Sequence, residues 1–362
     1  MEADSPPGAR AQPQAGADRT RPRIIAFPKA GNAYTECLYS EVEQNGVEVI
    51  DGIWSGRWLL RNLRRGDLVH VHWPSFLYFH ADSQARTWMG LARLFGFFLF
   101  ARLRGARLVW TAHNLFPHDG GKELLPHRLG RRVTTLFANS ICVHGDAAGE
   151  ILERELGIEQ ARLRVGHHGH WVGHYPNEVS RDDSRRRLNV RPEEFVYLFV
   201  GLCKPYKGLE VLIEAFTHAP RPARLVIAGK FPSEQYLLQI ASLVQATPGV
   251  ELVPYFIPDR ELQCYLNASD CVVLPYRSIL TSGAAMLALS FGRPVVAPDL
   301  GAMRDHVDAD CGLLYPAHEP QGLAQAMQQV RTRQFDPAAI MARARRFTWK
   351  HLAALLLDDL GG

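Results

Sequence analysis

The side chains in this sequence that could do chemistry cluster in a few short stretches. The densest is VGHHGHWVGHYP at 165–176, which places His167, His168, His170 and His174 in one glycine-containing loop. Imidazoles can hold a metal, move a proton, or hydrogen-bond an anion or a sugar. Zinc needs ligands fixed in a tetrahedron by separate elements. Histidines packed into one loop, with no Cys or Glu pattern nearby, do not match a common site, so no metal is expected. The loop leaves an apolar run, RLRV at 162–165, and should open where that strand ends.

Two further stretches suit a phosphorylated ligand. VGLCKPYKGLEVLIEAF at 200–216 runs strand, turn, helix, with Lys204 and Lys207 flanking Pro205 and Gly208 at the helix start. Two ammonium groups beside a helix amino end concentrate positive field suited to a diphosphate. The same spacing also fits two solvated lysines in a turn. In YRSILTSGAAMLALSFGRPVVAP at 276–298, Ser282 and Gly283 precede a helix whose first N–H groups have no partner within the helix. Such a turn accepts anionic oxygens, and a glycine lets them approach the backbone; an ordinary serine cap fits as well. Further histidines sit at predicted strand ends: His72 in VHVHWP, His113 in TAHN, and His118 with Asp119 in the loop beyond. The DAD at 308–310 reads as a polar turn.

The elements that must position these groups alternate along the whole chain. Apolar and β-branched runs at 23–28, 47–50, 67–73, 107–114 and 140–145 are separated by segments of helical period, and the plan repeats at 195–201, 223–229, 250–255, 270–276 and 294–298. The alternation predicts an α/β protein of two Rossmann-like, doubly wound domains, whose ligands sit at the carboxyl ends of the strands in a central cleft. We expect a disordered tail at 1–22, an amino-terminal domain at 23–180, a carboxyl-terminal domain at 181–345 and a closing helix at 346–362. The charged stretch NEVSRDDSRRRLNVRPEE at 177–194 is expected to be an exposed linker.

The 362 residues are 47% hydrophobic and 22% charged, ordinary for a globular protein and long enough for two cores. A net charge of +4 suits a protein that handles anions but falls short of a nucleic-acid binder, so phosphates or an anionic membrane surface are the natural partners. The six cysteines form no CxxC pair and are expected to be reduced packing residues in a cytosolic protein. Residues 1–22 are polar, unlike a secretory signal. Residues 84–107 combine Trp88, Phe95, Phe97, Phe98 and Phe100 with five arginines. Arg93 and Arg102 interrupt the apolar run, so it falls short of the roughly 20 residues of a spanning helix. An arginine-rimmed aromatic face can lie among lipid headgroups, and a crossover helix packed on the sheet would carry the same pattern.

The ordered set KPYKG, VLPY…TSG, LALSFGRPVVAP and FTW resembles the carboxyl-terminal domain of GT-B glycosyltransferases. VHVHWP, TAHNLFPHD and HGHW extend the resemblance to bacterial exopolysaccharide glycosyltransferases, notably the β-mannosyltransferases of xanthan-type assembly that act on lipid-linked oligosaccharide. The likeness implies a GT-B fold with an acceptor domain followed by a donor domain. It implies a nucleotide sugar donor, GDP-mannose first, with no cofactor. It implies a polyprenyl-diphosphate-linked acceptor and peripheral association with the inner face of the cytoplasmic membrane.

By the same resemblance Lys204, Lys207, Ser282 and Gly283 hold the donor diphosphate, and Phe256 and Ile257 in PYFIP touch the base. His168 and His170 face the cleft, while His167 and His174 are expected to be exposed. Retaining members carry two glutamates where this sequence has Ile279 and Leu287, which points to an inverting reaction. Inversion needs a base for the acceptor hydroxyl. Asp119 is favoured by residue type, whereas His113 has the firmer motif match and is alternatively a donor-sugar contact. His72 and His118 complete the expected cleft set. A GT-B nucleotide-sugar epimerase and a non-catalytic nucleotide-sugar-binding protein remain alternatives.

Overall fold

A computed structural model describes residues 21–117 and 124–361. Among them the chain forms two six-stranded parallel sheets. The first contains β1 (Arg23–Phe27), β2 (Glu48–Asp51), β3 (Leu68–Val71), β4 (Arg107–Thr111), β5 (Ser140–His144) and β6 (Leu163–Gly166). The second contains β7 (Phe195–Val200), β8 (Ala223–Ala228), β9 (Val250–Val253), β10 (Cys271–Val273), β11 (Val295–Pro298) and β12 (Gly312–Tyr315). The strands are short and nearly uniformly apolar because helices cover both faces of each sheet, as parallel pairing requires. The last strand, β12, was not anticipated from the sequence.

The spatial orders are β2-β1-β3-β4-β5-β6 and β12-β11-β10-β7-β8-β9. The first order reverses between β1 and β3, the second between β7 and β10. At such a switch point neighbouring connections leave in opposite directions and open a crevice at the strands' carboxyl ends. The turn carrying Lys204 and Lys207 leaves β7, and the turn carrying Ser282 follows β10. His72 directly follows β3 and His113 lies just beyond β4. The two α/β halves are those of the GT-B fold.

The stretch expected to be an exposed linker folds instead. Ser180 caps the helix Arg181–Arg187, its hydroxyl accepting from Asp183 N at 3.1 Å. Arg185 is buried and donates to the carbonyls of Ala268 and Glu194, while Asp270 pairs with both Arg181 and Arg185. Arg181 and Arg185 are thus partnered across the fold, while Arg186, Arg187 and Arg191 stay exposed as expected. The chain end crosses back: the helix Trp349–Gly361 packs on the helix Ala33–Gln44 and on β6. Buried Asp359 accepts from the Ser140 hydroxyl and pairs with Arg107 and Arg164, tying this helix to three strands of the first sheet. Residues 1–20 of the expected tail, and Gly362, lie outside the described residues.

Candidate active site

A cavity of about 440 Å³ opens between the two sheets, lined by His113, Asn114 and His168 from the first half and by Lys204, Lys207, Ser282 and Gly283 from the second. An adjoining cavity of about 340 Å³ carries Phe256, Ile257 and Leu287, and shares Trp171, Leu202, Gly283 and Ala284 with the first. Phe256 is 68% exposed, whereas Ile257 is buried. Ile279 lines the first cavity and Leu287 the second, so the sites of the missing glutamates present hydrocarbon.

The wall on the second half is built from turns. Gly208 follows a 3₁₀ turn of Pro205, Tyr206 and Lys207 with φ +70°, and a side chain there would meet the Pro275 carbonyl. Only glycine fits this geometry well. The turn sets the Lys207 ammonium 3.7 Å from the centroid of the Tyr276 ring and 4.9 Å from that of Tyr206, both within cation–π range. Burial pulls its pKa below the ordinary lysine value, with Tyr206 and Cys203 opposing. The helix Gly283–Ser290 begins at the cavity: Ser282 is its cap, accepting from Ala285 N at 3.2 Å, and its own hydroxyl donates to Tyr276 Oη at 3.4 Å. That hydroxyl is therefore engaged within the protein. What the helix end offers a ligand is the backbone N–H of its first turn.

The opposite wall is aromatic. Trp73 stacks on His113 with ring centroids 4.5 Å apart, and Tyr34 presents its ring to His72, His113, His144, His168 and Trp349 in edge-on contacts. Behind His113 a hydrogen-bonded chain runs into the core. His113 Nε2 meets His72 Nδ1 at 3.0 Å, His72 Nε2 meets Tyr39 Oη at 2.8 Å, Tyr39 Oη meets His70 Nδ1 at 2.8 Å, and His70 Nε2 meets Thr111 Oγ1 at 2.8 Å. Beside it Tyr34 Oη meets His144 Nε2 at 3.1 Å.

Burial holds His72, His113 and His144 well below the ordinary imidazole pKa, with neighbouring imidazoles adding to the effect, and pulls His70 to about 3. These rings are neutral, each with one N–H. Tyr39 has one hydrogen to give to either of two imidazoles. Given to His72, it leaves His113 with Nδ1–H; given to His70, it leaves His113 Nδ1 bare. The chain thus couples the kind of hydrogen bond His113 can make to the direction of the Tyr39 hydroxyl. A neutral imidazole so reluctant to take a proton suits hydrogen bonding to a sugar better than general base work.

The histidine loop resolves into separate roles. Only an N–H can pair with a carbonyl, so His168 Nδ1 donates to Gly169 O at 2.8 Å and Nε2 is bare, beside Gly283. Burial lowers its pKa to about 4. His170, expected in the cleft, is not among the residues lining the cavity. Its backbone N donates to Phe347 O and its carbonyl accepts from Trp349 Nε1 at 2.8 Å, while its Nδ1 accepts from Val172 N. His167 was expected to be exposed but is half-buried against His306 and Phe347. His174 is exposed, with Nδ1 3.3 Å from Cys37 Sγ. Trp171 locks the loop to the second half, donating from its backbone to Ser290 Oγ and from Nε1 to Gly283 O. Among the described residues no His, Cys, Asp and Glu side chains converge as metal ligands. His118 and Asp119 lie outside the described residues.

Residues 194–333 match the family model "Glycosyl transferases group 1". The matched stretch contains Lys204, Lys207, Ser282 and Gly283. Over 285 residues the chain is 28% identical to a GDP-mannose:glycolipid 4-beta-D-mannosyltransferase of Xanthomonas campestris pv. campestris, covering 76% of this chain and 75% of the relative. Over 277 residues it is 30% identical to a D-inositol 3-phosphate glycosyltransferase of Rhodococcus opacus (strain B4), covering 70% of this chain and 62% of that relative. The chain therefore spans somewhat less than two thirds of the inositol-phosphate relative. The fold matches the Anabaena protein HepE in complex with UDP and glucose, with a TM-score of 0.71 at 16% identity, covering 94% of this chain and 99% of that one.

Sequence reasoning missed Tyr34, Tyr39, His70 and His144. The alternation His70-Val71-His72 was a usable signal, since residues two apart on a strand share a face. The tyrosines gave none, because they look like the buried side of an ordinary amphipathic helix.

Proposed function

We propose that this protein is an inverting glycosyltransferase that moves a hexose, mannose first, from a nucleotide diphosphate sugar, GDP-mannose first, to a polyprenyl-diphosphate-linked oligosaccharide in exopolysaccharide biosynthesis. The observation that carries the reading is one cavity with two unlike walls: neutral imidazoles and aromatic rings on one side, two lysines and a helix amino end on the other. The acceptor hydroxyl oxygen attacks the anomeric carbon and loses its proton to a base, while the bond to the diphosphate oxygen breaks. Negative charge grows on that oxygen. Lys204, Lys207 and the N–H groups at Gly283 stabilise it. His113 and His168 orient the sugar through hydrogen bonds, and Asp119 is the base favoured by residue type. Phe256 and Ile257 border the base end of the donor.

The glycolipid mannosyltransferase of Xanthomonas supports this donor and acceptor class, whereas the neighbour that binds UDP keeps a uridine donor as the competing choice. No described helix is long and apolar enough to cross a membrane. A lipid-linked acceptor then calls for peripheral association with the inner face of the cytoplasmic membrane, and the exposed aromatic and arginine side chains of Gln84–Leu103 support that placement.

A thermal-shift series with GDP, UDP and ADP and their sugar conjugates tests the donor, since a ligand that binds only the folded state raises the melting temperature. Selective stabilisation by GDP and GDP-mannose is expected; a UDP-selective response overturns the choice of donor. Release of nucleotide diphosphate that requires a lipid-linked acceptor is the second test. Release of free sugar without acceptor would favour the epimerase, and binding without turnover would favour a non-catalytic protein.

A further inference from the structure

A second concave site lies outside the catalytic cavity. Between the helices Gly56–Asn62 and Gln84–Leu103 runs a groove of about 590 Å³, walled by Trp54, Leu59, Leu60, Phe97 and Phe100, with Arg93 at its edge. Nothing in the transfer chemistry uses it.

Two glycines, Gly56 and Gly96, also line the groove. Gly96 sits inside a 20-residue helix, where glycine is disfavoured. Packing explains Gly90 on the same helix, because a side chain there would collide with the Tyr78 backbone. It does not explain Gly96: a Cβ there, as at Gly56, would meet nothing within 4 Å. Neither of these two glycines has a positive φ. What the missing side chains do at both positions is leave the groove open.

The two helices that wall the groove favour an anionic ligand: they carry Arg57, Arg61, Arg86, Arg93 and Arg102 and no acidic residue, with Arg93 lining the groove and Arg86 paired with Asp82. Arg104 lies over the Phe100 ring and donates to Leu60 O at 3.1 Å, joining the two helices at the rim. Leu60 in the groove wall is exposed, as are Phe95, Leu99 and Leu103 on the longer of the two helices. A hydrocarbon slot framed by arginine, next to exposed apolar side chains, complements an anionic headgroup with an acyl chain.

We propose that this groove takes one acyl chain of an anionic membrane phospholipid, with Arg93 and its neighbours on the headgroup. The assignment rests on the membrane-surface part of the proposed function and adds to it a discrete site. Trp54 packs on Phe27 at the end of β1, and Phe27 O accepts from His72 N at 3.2 Å. A chain in the groove would therefore lie two contacts from the catalytic wall.

The test uses the full protein with vesicles of phosphatidylglycerol and phosphatidylcholine carrying a nitroxide quencher at a shallow or a deep acyl position. Tryptophan fluorescence is compared between the wild type and Trp54→Phe to isolate the Trp54 signal. Deep-chain quenching of Trp54 by at least twofold, only in phosphatidylglycerol vesicles, is expected. It should disappear in Gly96→Leu, which fills the groove, while that variant still sediments with the vesicles and keeps its nucleotide-induced thermal shift. Gly96→Ala is the folding control and should remain folded and bind vesicles. Sedimentation without Trp54 quenching would overturn the acyl site and leave the membrane reading standing; absence of sedimentation would overturn both. Quenching that persists in Gly96→Leu, or that polyprenyl phosphate displaces at stoichiometric levels while added phospholipid does not, would overturn the assignment to a phospholipid chain.

Discussion

The two walls of the cavity between the sheets offer a ligand opposite kinds of surface. The wall from the first sheet buries His70, His72, His113 and His144, holds them neutral and joins them to Tyr34 and Tyr39 by hydrogen bonds. The wall from the second sheet brings Lys204 and Lys207 to the cavity and otherwise offers backbone. A sugar needs direction from many weak hydrogen bonds, and a departing diphosphate needs positive potential. In the proposed reaction these two needs fall on separate halves of the molecule.

Acid should break this contrast with the largest effect. His70, His168 and His306 have folded pKa values of about 3, 4 and 3, and His72, His113 and His144 are also lowered, all from 6.5. Below pH 6.5 the unfolded chain binds protons that the native protein does not. Stability is therefore lost as pH falls from 6.5 toward the folded values, by up to about 1.4 kcal/mol per pH unit for each such imidazole. Urea unfolding between pH 7.5 and 5 should show the midpoint falling steeply; a flat profile would mean that the histidine wall is hydrated or charged.

Removing charge from the other wall comes next. Lys207→Ala should lower kcat roughly 10²–10³-fold, as loss of a donor to a developing anion does, with little change in melting temperature. Wild-type turnover would remove Lys207 from the mechanism.

Tyr39→Phe probes the neutral wall without touching the cavity. It leaves nitrogens of His70 and His72 unpaired, so a loss of about 1–3 kcal/mol of stability is expected. With His72 no longer tied to the Tyr39 hydroxyl, the tautomer populations of His113 should also shift, visible in ¹⁵N shifts of labelled imidazoles. An unchanged His113 spectrum would show that the chain does not set its tautomer.

Ser282→Ala should have the smallest effect, about 1 kcal/mol of stability from the lost helix cap and a change in kcat below about tenfold. A loss as large as that of Lys207→Ala would show that the hydroxyl, not the helix end, meets the diphosphate.

Much of the fold was legible because it is written locally. The short apolar runs, the Lys204–Gly208 turn and the Ser282–Gly283 helix start each depend on neighbours within a few residues. The sequence also showed that Ile279 and Leu287 bring no carboxylate to the cleft. The extent of the site was not local. Tyr39 lies 31 residues from His70 and Tyr34 lies 110 from His144, and only sheet order brings each pair together. The stretch 177–194 misled in part for the same reason, since the Asp270 carboxylate that pairs with Arg181 and Arg185 comes from elsewhere in the chain.

The sequence by itself determined two α/β halves, the Lys204–Gly208 and Ser282–Gly283 turns and a run of imidazoles between them. The tertiary structure decided which histidines face the cavity, that His170 serves the backbone crossing to Phe347 and Trp349, and that the chain's final helix anchors the first sheet through Asp359. Spacing along a chain constrains groups within one turn or one strand. The charge state and partner of a buried group depend on what packing brings to it and on how much water it removes.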